Sequence, residues 1–411
     1  MSSIWAARIG LSILHYGPPP GASWCICSRQ AHNATLPVFN GTLHQGPSSR
    51  TSAATQQKQK PHRLKRVKDD NSALTIAESC RHFRRFVTHP GLIEAVLRSL
   101  APWGSSRTAP VIMECNPGPG FLTQALLDAG HKVFALETNS DFLPFLKTIE
   151  RNADGKLKVV HCDFFRIDPW SEGLVQPPSM YSSTLMKTLD MNEVSWASDV
   201  PLKVFLMLDH KKERILLWRQ IYSLYERLSV YVYGRIELNV FMTEQQYEKL
   251  ISRPGDFIKY QALSVLFQVA CDIELLHKEP VSSFMIPSKF RNSAVTQTGV
   301  LPNEDLCLVR ITPRRNLFSE NFTPADGAIF VHMIKQFLAK RKSKLIEKLD
   351  NLAPGNGKKL LQSLALPMDI ATGCIYPEEY KLLFDLMSRS EEFNRCFVLD
   401  EICEDIAATS Y

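Results

Sequence analysis

The sequence predicts an α/β fold built on a doubly wound parallel sheet, with a smaller helical domain after it. Short apolar runs of strand length alternate with segments of helical length through the first half of the chain. A turn rich in Gly and Pro follows the first run, and acidic residues end the next two runs. This β-α-β-α-β alternation is typical of parallel sheets, whose crossover connections are helices.

Each element follows from its residue pattern. We predict helices over residues 73–100, with a break at His89-Pro90-Gly91. The alternation then comprises strand 111–115, helix 121–129, strand 131–137, helix 140–150 and strand 157–163. After it we predict strand 201–208, helix 211–228, strand 231–242, helix 244–251, mostly strand over 262–277, a polar loop over 285–304 and strand 306–311. From Asn316 onward the pattern is helical.

Two irregular stretches complete the domain plan. Residues 166–200 have no clear period, so we predict a long surface insertion there. The plan is a targeting and basic segment at 1–68, an α/β domain at 69–312 and a helical domain at 313–411.

Composition excludes several classes of protein. With 45% hydrophobic residues the chain can bury a core, yet no apolar run is long enough for a membrane-spanning helix. None of the ten cysteines forms paired Cys-x-x-Cys motifs, so we expect no structural metal site. Because most cysteines lie in apolar runs, we expect buried free thiols at Cys115, Cys271, Cys307 and Cys396.

Charge is distributed unevenly along the chain. Residues 1–68 hold nine Lys or Arg and no Asp or Glu, which is typical of a mitochondrial transit peptide. A basic tail that directs nuclear import, with residues 63–68 as the signal, is the alternative. Residues 69–411 are slightly acidic, with 39 basic and 42 acidic residues. Nucleic-acid binding by this part must therefore depend on local basic patches.

The turn after the first strand is the first candidate ligand site. Its residues include Glu114, Asn116, Gly118 and Gly120, and a helix begins directly after it. Glycines let the backbone approach a ligand closely, and a helix N-terminus directs N–H groups toward it. A tight turn without a ligand would have the same composition.

Two acids extend the candidate site. Glu137 ends the second strand and could accept both ribose hydroxyls of a nucleoside cofactor. Asp163 ends the third strand and could accept from an adenine amino group. Because the loop lacks Gly-x-Gly-x-x-Gly spacing, S-adenosylmethionine is favoured over NAD.

These residues resemble the dimethyladenosine transferase family. The loop at 114–120, Glu137 and residues 161–165 match its first three motifs in order and spacing, and residues 281–284 resemble its substrate-side loop. The resemblance implies a Rossmann-like S-adenosylmethionine-dependent methyltransferase fold. It carries the family's cofactor contacts to Val87, Glu137 and Asp163, with Gly118 and Gly120 shaping the loop.

A second set of segments resembles the mitochondrial transcription factor branch of this family. They are residues 116–120, 201–204, 234–237 and 316–318. That resemblance implies a protein of the matrix nucleoid. It would work with mitochondrial RNA polymerase, an HMG-box transcription factor and promoter DNA, without integral membrane contact. An enzymatically active member would also bind mitochondrial small-subunit rRNA.

Two positions depart from active members of the family. An Asn-Leu-Pro-Tyr-type tetrad normally holds the adenine amino group and stacks on the flipped base. Here the tetrad reads Met207-Leu208-Asp209-His210, and methionine supplies no amide oxygen. A Gln-Asn-Phe-type signature is also replaced, at residues 84–87, by Arg-Arg-Phe-Val. The sequence therefore predicts weak or absent methyl transfer with nucleic-acid binding kept.

The candidate nucleic-acid contacts are basic residues near the eroded tetrad and beyond the last strand. Such residues can neutralise phosphates without reading bases. The alternative is that these residues only form a solvated helix face. Residues 340–344, with four cations in five positions, fit that alternative least well. The candidates are Lys211, Lys212, Arg214, Arg314, Arg315, Lys335, Lys340, Arg341, Lys342 and Lys344.

Three functions remain open on these grounds. The first is a transcription initiation factor that helps the polymerase melt promoter DNA. The second is an active dimethyltransferase of two adjacent adenines in small-subunit rRNA. The third, a small-molecule methyltransferase, is disfavoured by the basic C-terminal part.

Overall fold

A seven-stranded mixed sheet organises the protein, in the order β3-β2-β1-β4-β5-β7-β6. β1 to β5 are mutually parallel, whereas β7 is antiparallel to both β5 and β6. The strands are β1 Val111–Cys115, β2 Val133–Glu137, β3 Leu157–His161, β4 Leu202–Met207, β5 Glu237–Thr243, β6 Cys271–Pro280 and β7 Asp305–Pro313. The strand order reverses beside β1, where ligands of open α/β sheets bind.

The computed structural model describes residues 70–100, 111–169, 175–291, 304–352 and 354–389, all within one compact unit at Val67–Tyr411. The predicted transit segment, Cys396, the His210 side chain and most of the polar loop predicted at 285–304 lie outside the described residues. Among the described helices, none is long and apolar enough to cross a bilayer.

Helices cover the sheet and continue beyond it. Those before and between the strands are α1 Asp70–Ser79, α2 Pro90–Leu100, α3 Phe121–Asp128, α4 Leu143–Arg151, α5 Ser182–Thr188, α6 Glu213–Tyr225, α7 Glu244–Leu250 and α8 Ala262–Ala270. Those after the sheet are α9 Gly327–Ala339, α10 Leu345–Leu352, α11 Gly357–Ser363 and α12 Pro377–Met387. The predicted helical pattern after residue 316 is confirmed, while the domain boundary at 312 stays a prediction.

Two apolar cores lie on opposite faces of the sheet, because successive strand residues point in opposite directions. Met113 of β1 belongs to one core and Ile112 to the other. The larger core continues into the C-terminal helices, where Phe330 of α9 and Phe384 of α12 are buried.

The prediction of strand over 262–277 is wrong for its first half, which is helix α8; the strand begins at Cys271. Nearly every side chain of α8 is buried, so its apolar run carries no periodicity that separates helix from strand. One local feature does indicate the start of the helix. The hydroxyl of Ser264 accepts a hydrogen bond from the N–H of Gln261 there.

The strand predicted at 231–242 begins later, at Glu237. A 3₁₀ turn occupies Ser229–Tyr233, and Gly234 then adopts a φ of 117°. A side chain at Gly234 would lie 2.6 Å from Val194, so glycine is required by both conformation and space.

The prediction of a surface insertion over 166–200 is also wrong in part. Helix α5 lies inside it, and its Leu185 and Met186 are fully buried against the larger core. Ile167 and Trp196, near the two ends of the segment, are buried as well. The insertion therefore contributes to the fold.

Candidate functional site

The turn after β1 has a left-handed backbone conformation at three positions, two of which are glycines. Asn116, Gly118 and Gly120 have φ values of 60°, 61° and 84°. A Cβ at Gly118 would lie 2.5 Å from the ring of Phe86, and one at Gly120 would lie 2.8 Å from Ile149. Only glycine fits either position, so the predicted role of these residues in shaping the loop is consistent with their geometry.

Glu137, at the end of β2, is fully buried, and its carboxylate already has partners. The N–H of Gly118 donates to Oε2 at 2.9 Å, and the N–H of Asn139 donates to Oε1 at 2.7 Å. The Arg84 guanidinium binds both oxygens, with Nη1 2.8 Å from Oε1 and Nη2 3.0 Å from Oε2. This bidentate ion pair is the strongest contact that the carboxylate makes.

Arg84 is held in place from three other directions. Its Nη2 also donates to the carbonyl of Asn116 at 3.1 Å. Its guanidinium carbon lies 5.1 Å from the Phe86 ring centre and 5.3 Å from that of Phe142. The adjacent backbone is fixed as well, because Phe86 exchanges hydrogen bonds with Met285.

The residues as they stand do not fit S-adenosylmethionine at the ribose position. A carboxylate offers about four acceptor sites, and backbone N–H groups and Arg84 direct four hydrogen bonds at Glu137. A ribose diol would have to displace the Arg84 guanidinium to reach it. The glycine-containing loop is therefore present, but the acceptor beside it is bound by a side chain of this chain.

Glu114 lies inside the sheet. It is 2% exposed, and its Oε2 accepts from the Thr123 hydroxyl at 2.6 Å. Burial raises the pKa of Glu114 to about 8, so this carboxyl is mostly protonated at neutral pH. Its hydrogen-bond partner fixes the start of α3, which makes it a supporting residue of the loop.

Asp163 follows β3 at the same edge of the sheet and is half-buried. Its Oδ1 accepts from the N–H of Phe165 at 2.9 Å, and its Oδ2 lies 3.5 Å from Nε of Arg166. The Arg166 side chain is 63% exposed and that of Asp163 is 21% exposed, and the contact of Asp163 with an adenine amino group stays a prediction. Val87, the remaining predicted cofactor contact, is 8% exposed and packs in the smaller core.

The degenerate tetrad lies at the end of β4. Met207 is half-buried against the smaller core, and Leu208 is buried with its N–H donating to the carbonyl of Phe241. Asp209 is exposed and accepts only weakly from the N–H of Lys211, at 3.3 Å; His210 begins the turn that follows. No amide oxygen is present at position 207 to hold an adenine amino group.

The sequence marks Arg85 only as part of the segment at 84–87, but the structure places it near the charge of Asp209 in this tetrad. Its Nε and Nη2 are buried and have no hydrogen-bond partner among the described residues. Burial lowers the pKa of Arg85, while the charges of Glu213 and Asp209 oppose that shift. The doubled arginine at 84–85 is visible in the sequence as a departure from the family motif, but its contacts are not.

The predicted nucleic-acid residues separate into paired and exposed groups. Arg314 pairs with Asp272 at 3.0 Å and Arg315 with Asp199 at 2.7 Å. Arg341 donates to the backbone carbonyls of residues 257 and 258 at 2.7 and 3.0 Å, so it has a structural role.

The other predicted cations are mostly lysines. Lys335 donates to the hydroxyl of Tyr222 at 3.0 Å. Lys340, Lys342 and Lys344 are all exposed, and we call these three residues the lysine cluster. Lys211, Lys212 and Arg214 lie at the start of α6. Among the described residues, no cluster of His, Cys, Asp and Glu could hold a metal ion.

Comparison with known proteins places this geometry in a family. The model of the ribosomal RNA adenine dimethylase family matches residues 84–373. The chain is 40% identical over 334 residues to the human protein named "Dimethyladenosine transferase 2, mitochondrial", a match that covers 79% of this chain and 82% of the relative. It is 41% identical over 298 residues to the rat protein of the same name, covering 72% and 75% of the two chains.

A solved structure is also similar. A dimethyladenosine transferase from Plasmodium falciparum is 12% identical, has a TM-score of 0.45 and covers 72% of this chain and 95% of its own. The family model covers more than half of this chain, and both mammalian relatives are at least 40% identical over more than two thirds of it. The chain belongs to the ribosomal RNA adenine dimethylase family.

Proposed function

We propose that this protein is a mitochondrial transcription initiation factor that uses a dimethyltransferase fold to help mitochondrial RNA polymerase melt promoter DNA. The observation that carries the proposal is Met207. Methyl transfer to an adenine amino group needs an acceptor that holds the nitrogen, because its lone pair is delocalised into the ring. The thioether of Met207, at the end of β4, is only a weak acceptor and replaces the amide oxygen that does this in active members.

Other features support a nucleic-acid role without methyl transfer. The lysines at 340, 342 and 344 and the cations at the start of α6 reach solvent, so they can contact phosphates without breaking internal ion pairs. The mammalian relatives are named mitochondrial, and the first segment has transit-peptide composition. These features favour the matrix nucleoid, with promoter DNA, the polymerase and an HMG-box factor as partners.

Run-off transcription tests the proposal directly. Mitochondrial RNA polymerase and the HMG-box factor are given either a closed duplex promoter or the same promoter with a pre-melted bubble, with and without this protein. We expect the protein to be required on the closed duplex and dispensable on the bubble. Equal transcription with and without the protein on both templates would contradict the proposal.

The second candidate is an active rRNA adenine dimethyltransferase. Membership of the ribosomal RNA adenine dimethylase family favours it. Methylation of a small-subunit rRNA hairpin, read by mass spectrometry of the two adjacent adenines, distinguishes it from the first. Stoichiometric dimethylation by the purified chain would support this second candidate, and unmodified adenines would leave transcription initiation as the function to pursue.

A further inference from the structure

The ion pair of Arg84 and Glu137 joins a segment that precedes the sheet to the carboxyl end of β2. The two side chains are 53 positions apart in the chain and meet in a bidentate contact at 2.8 and 3.0 Å. Their side chains are 14% and 0% exposed. The pair is therefore shielded from water and salt, unlike the exposed pairs elsewhere on the molecule.

The surroundings favour this paired arrangement over an open one. Glu137 is fully buried, so moving Arg84 away would leave a carboxylate inside the protein without its counter-charge. Arg84 would also leave the Asn116 carbonyl and the two rings that flank it. No other cation is paired with Glu137 among the described residues.

The pair lies where this type of fold binds the ribose of a nucleoside cofactor. An acid at the end of β2, beside the loop after β1, is where a nucleoside cofactor places its ribose hydroxyls. Those hydroxyls donate hydrogen bonds, as the two Arg84 nitrogens do here. The guanidinium therefore satisfies the same acceptors as the ribose would.

We propose that Arg84 replaces the ribose of S-adenosylmethionine on Glu137 and closes the cofactor site from within. The closed site lets the loop and the sheet edge fold completely without a cofactor. An apparent dissociation constant rises in inverse proportion to the fraction of molecules in the open state, so a well-formed pair weakens cofactor binding strongly. The inference does not depend on the role proposed in transcription.

Direct cofactor binding tests it. The full chain is placed in equilibrium dialysis against radiolabelled S-adenosylmethionine, as wild type and as Arg84→Gln. We expect Arg84→Gln to bind at least about tenfold more tightly than wild type, because the glutamine frees the carboxylate. Arg98→Gln is the matched control: it removes the same charge from an exposed pair with Glu94 and should bind like wild type.

A second pair of variants separates opening of the site from loss of stability. Arg84→Gln/Glu137→Gln removes both charges, so it should fold and yet lose the gain in binding. Arg84→Lys keeps a cation that cannot bridge both oxygens, and it should bind between wild type and Arg84→Gln. If Arg84→Gln does not fold, the comparison of Arg84→Lys with wild type still tests the proposal.

Two results would overturn the inference. One is wild-type binding as tight as that of folded Arg84→Gln or Arg84→Lys. The other is an increase in binding that survives in Arg84→Gln/Glu137→Gln. Transcription assays contain no S-adenosylmethionine, so failure here and failure of the proposed function are distinguishable.

Discussion

The indole N–H of Trp196 donates a hydrogen bond to the carbonyl oxygen of Arg314 at 3.1 Å, across 118 positions of sequence. Arg235 reinforces the same junction, with Nε donating to the Trp196 carbonyl at 3.0 Å and Nη1 to the Pro313 carbonyl at 3.1 Å. The irregular segment before β4 is thereby fixed to the end of β7.

Trp196→Ala should destabilise the protein by about 3–5 kcal/mol, the usual cost of deleting a buried tryptophan. The ring is 7% exposed and lies edge-to-face with Phe318 at 4.9 Å between ring centres. Urea unfolding followed by circular dichroism measures the change. Ile215→Ala, at a side chain 69% exposed, should stay within about 0.5 kcal/mol of wild type. Equal effects of the two would mean that the junction contributes nothing.

Glu114 should make stability depend on pH. Its pKa is about 8 in the folded protein against a reference value of 4.5, because burial disfavours the charged form. The stability it contributes is full below pH 4.5 and is lost as pH rises to 8, at up to about 1.4 kcal/mol per pH unit. Glu114→Gln should remove this loss while keeping an acceptor for Thr123.

The comparison of the two proteins is made by urea unfolding at pH 5.5, 7 and 8.5. We expect Glu114→Gln to gain on wild type as pH rises. A constant difference in free energy of unfolding across the series would show that Glu114 is ionised in the folded state.

Glu237 lies between two buried cations and should be more important than any exposed acid. Its Oε1 is 3.7 Å from Nζ of Lys203 and 3.6 Å from Nε of Arg310, and all three side chains are 8% exposed. Glu237→Gln leaves Lys203 without its counter-charge and leaves Arg310 paired with Glu274, so we expect the free energy of unfolding to fall by about 3–5 kcal/mol.

Glu248→Gln is the matched comparison for Glu237. Its pair with Lys259 spans 2.8 Å, but both side chains are 43% exposed. We expect a decrease below about 1 kcal/mol in the same measurement. Equal decreases at both positions would contradict the importance of the buried cluster.

The lysine cluster and Arg341 should behave differently when removed. Lys340→Ala/Lys342→Ala/Lys344→Ala should weaken binding to single-stranded DNA and make it less sensitive to salt. The log–log slope should fall by roughly 0.7 for each phosphate that a lysine no longer neutralises. The melting temperature should stay close to that of wild type, because these side chains reach solvent.

Arg341→Ala should lower the melting temperature, because two carbonyls, of Phe257 and Ile258, lose their donor. Fluorescence anisotropy over a salt series, together with thermal unfolding, measures both properties. An unchanged salt slope in the triple variant would remove the cluster from the nucleic-acid surface.

Several features can be predicted because their signal is local. The strands predicted at 111–115, 157–163 and 201–208 are short apolar runs that end in turns or polar residues. The structure confirms these strands, with the second at Leu157–His161 and the third at Leu202–Met207. The buried thiols of Cys115, Cys271 and Cys307 follow from the same apolar context and are confirmed. Gly118 and Gly120 are recognisable because only glycine fits their conformation.

Other features cannot be predicted because they depend on distant partners. Helix α8 has the sequence pattern of a strand because it is buried on every side, which erases helical periodicity. The segment before β4 has the composition of a surface loop, yet residues 235 and 314 supply the groups that hold Trp196 inside the fold.

Residue type and local spacing are enough to predict the first parallel strands and the cofactor-type loop, and the family resemblance is needed to recognise the replaced tetrad at Met207. Which group binds the Glu137 carboxylate is decided instead by the tertiary structure. An arginine 53 positions earlier reaches that buried carboxylate, and only the closed fold brings the two charges within 2.8 Å. Pairing across such a separation leaves no periodic trace in the sequence, because the path of the chain between the partners is set by other contacts.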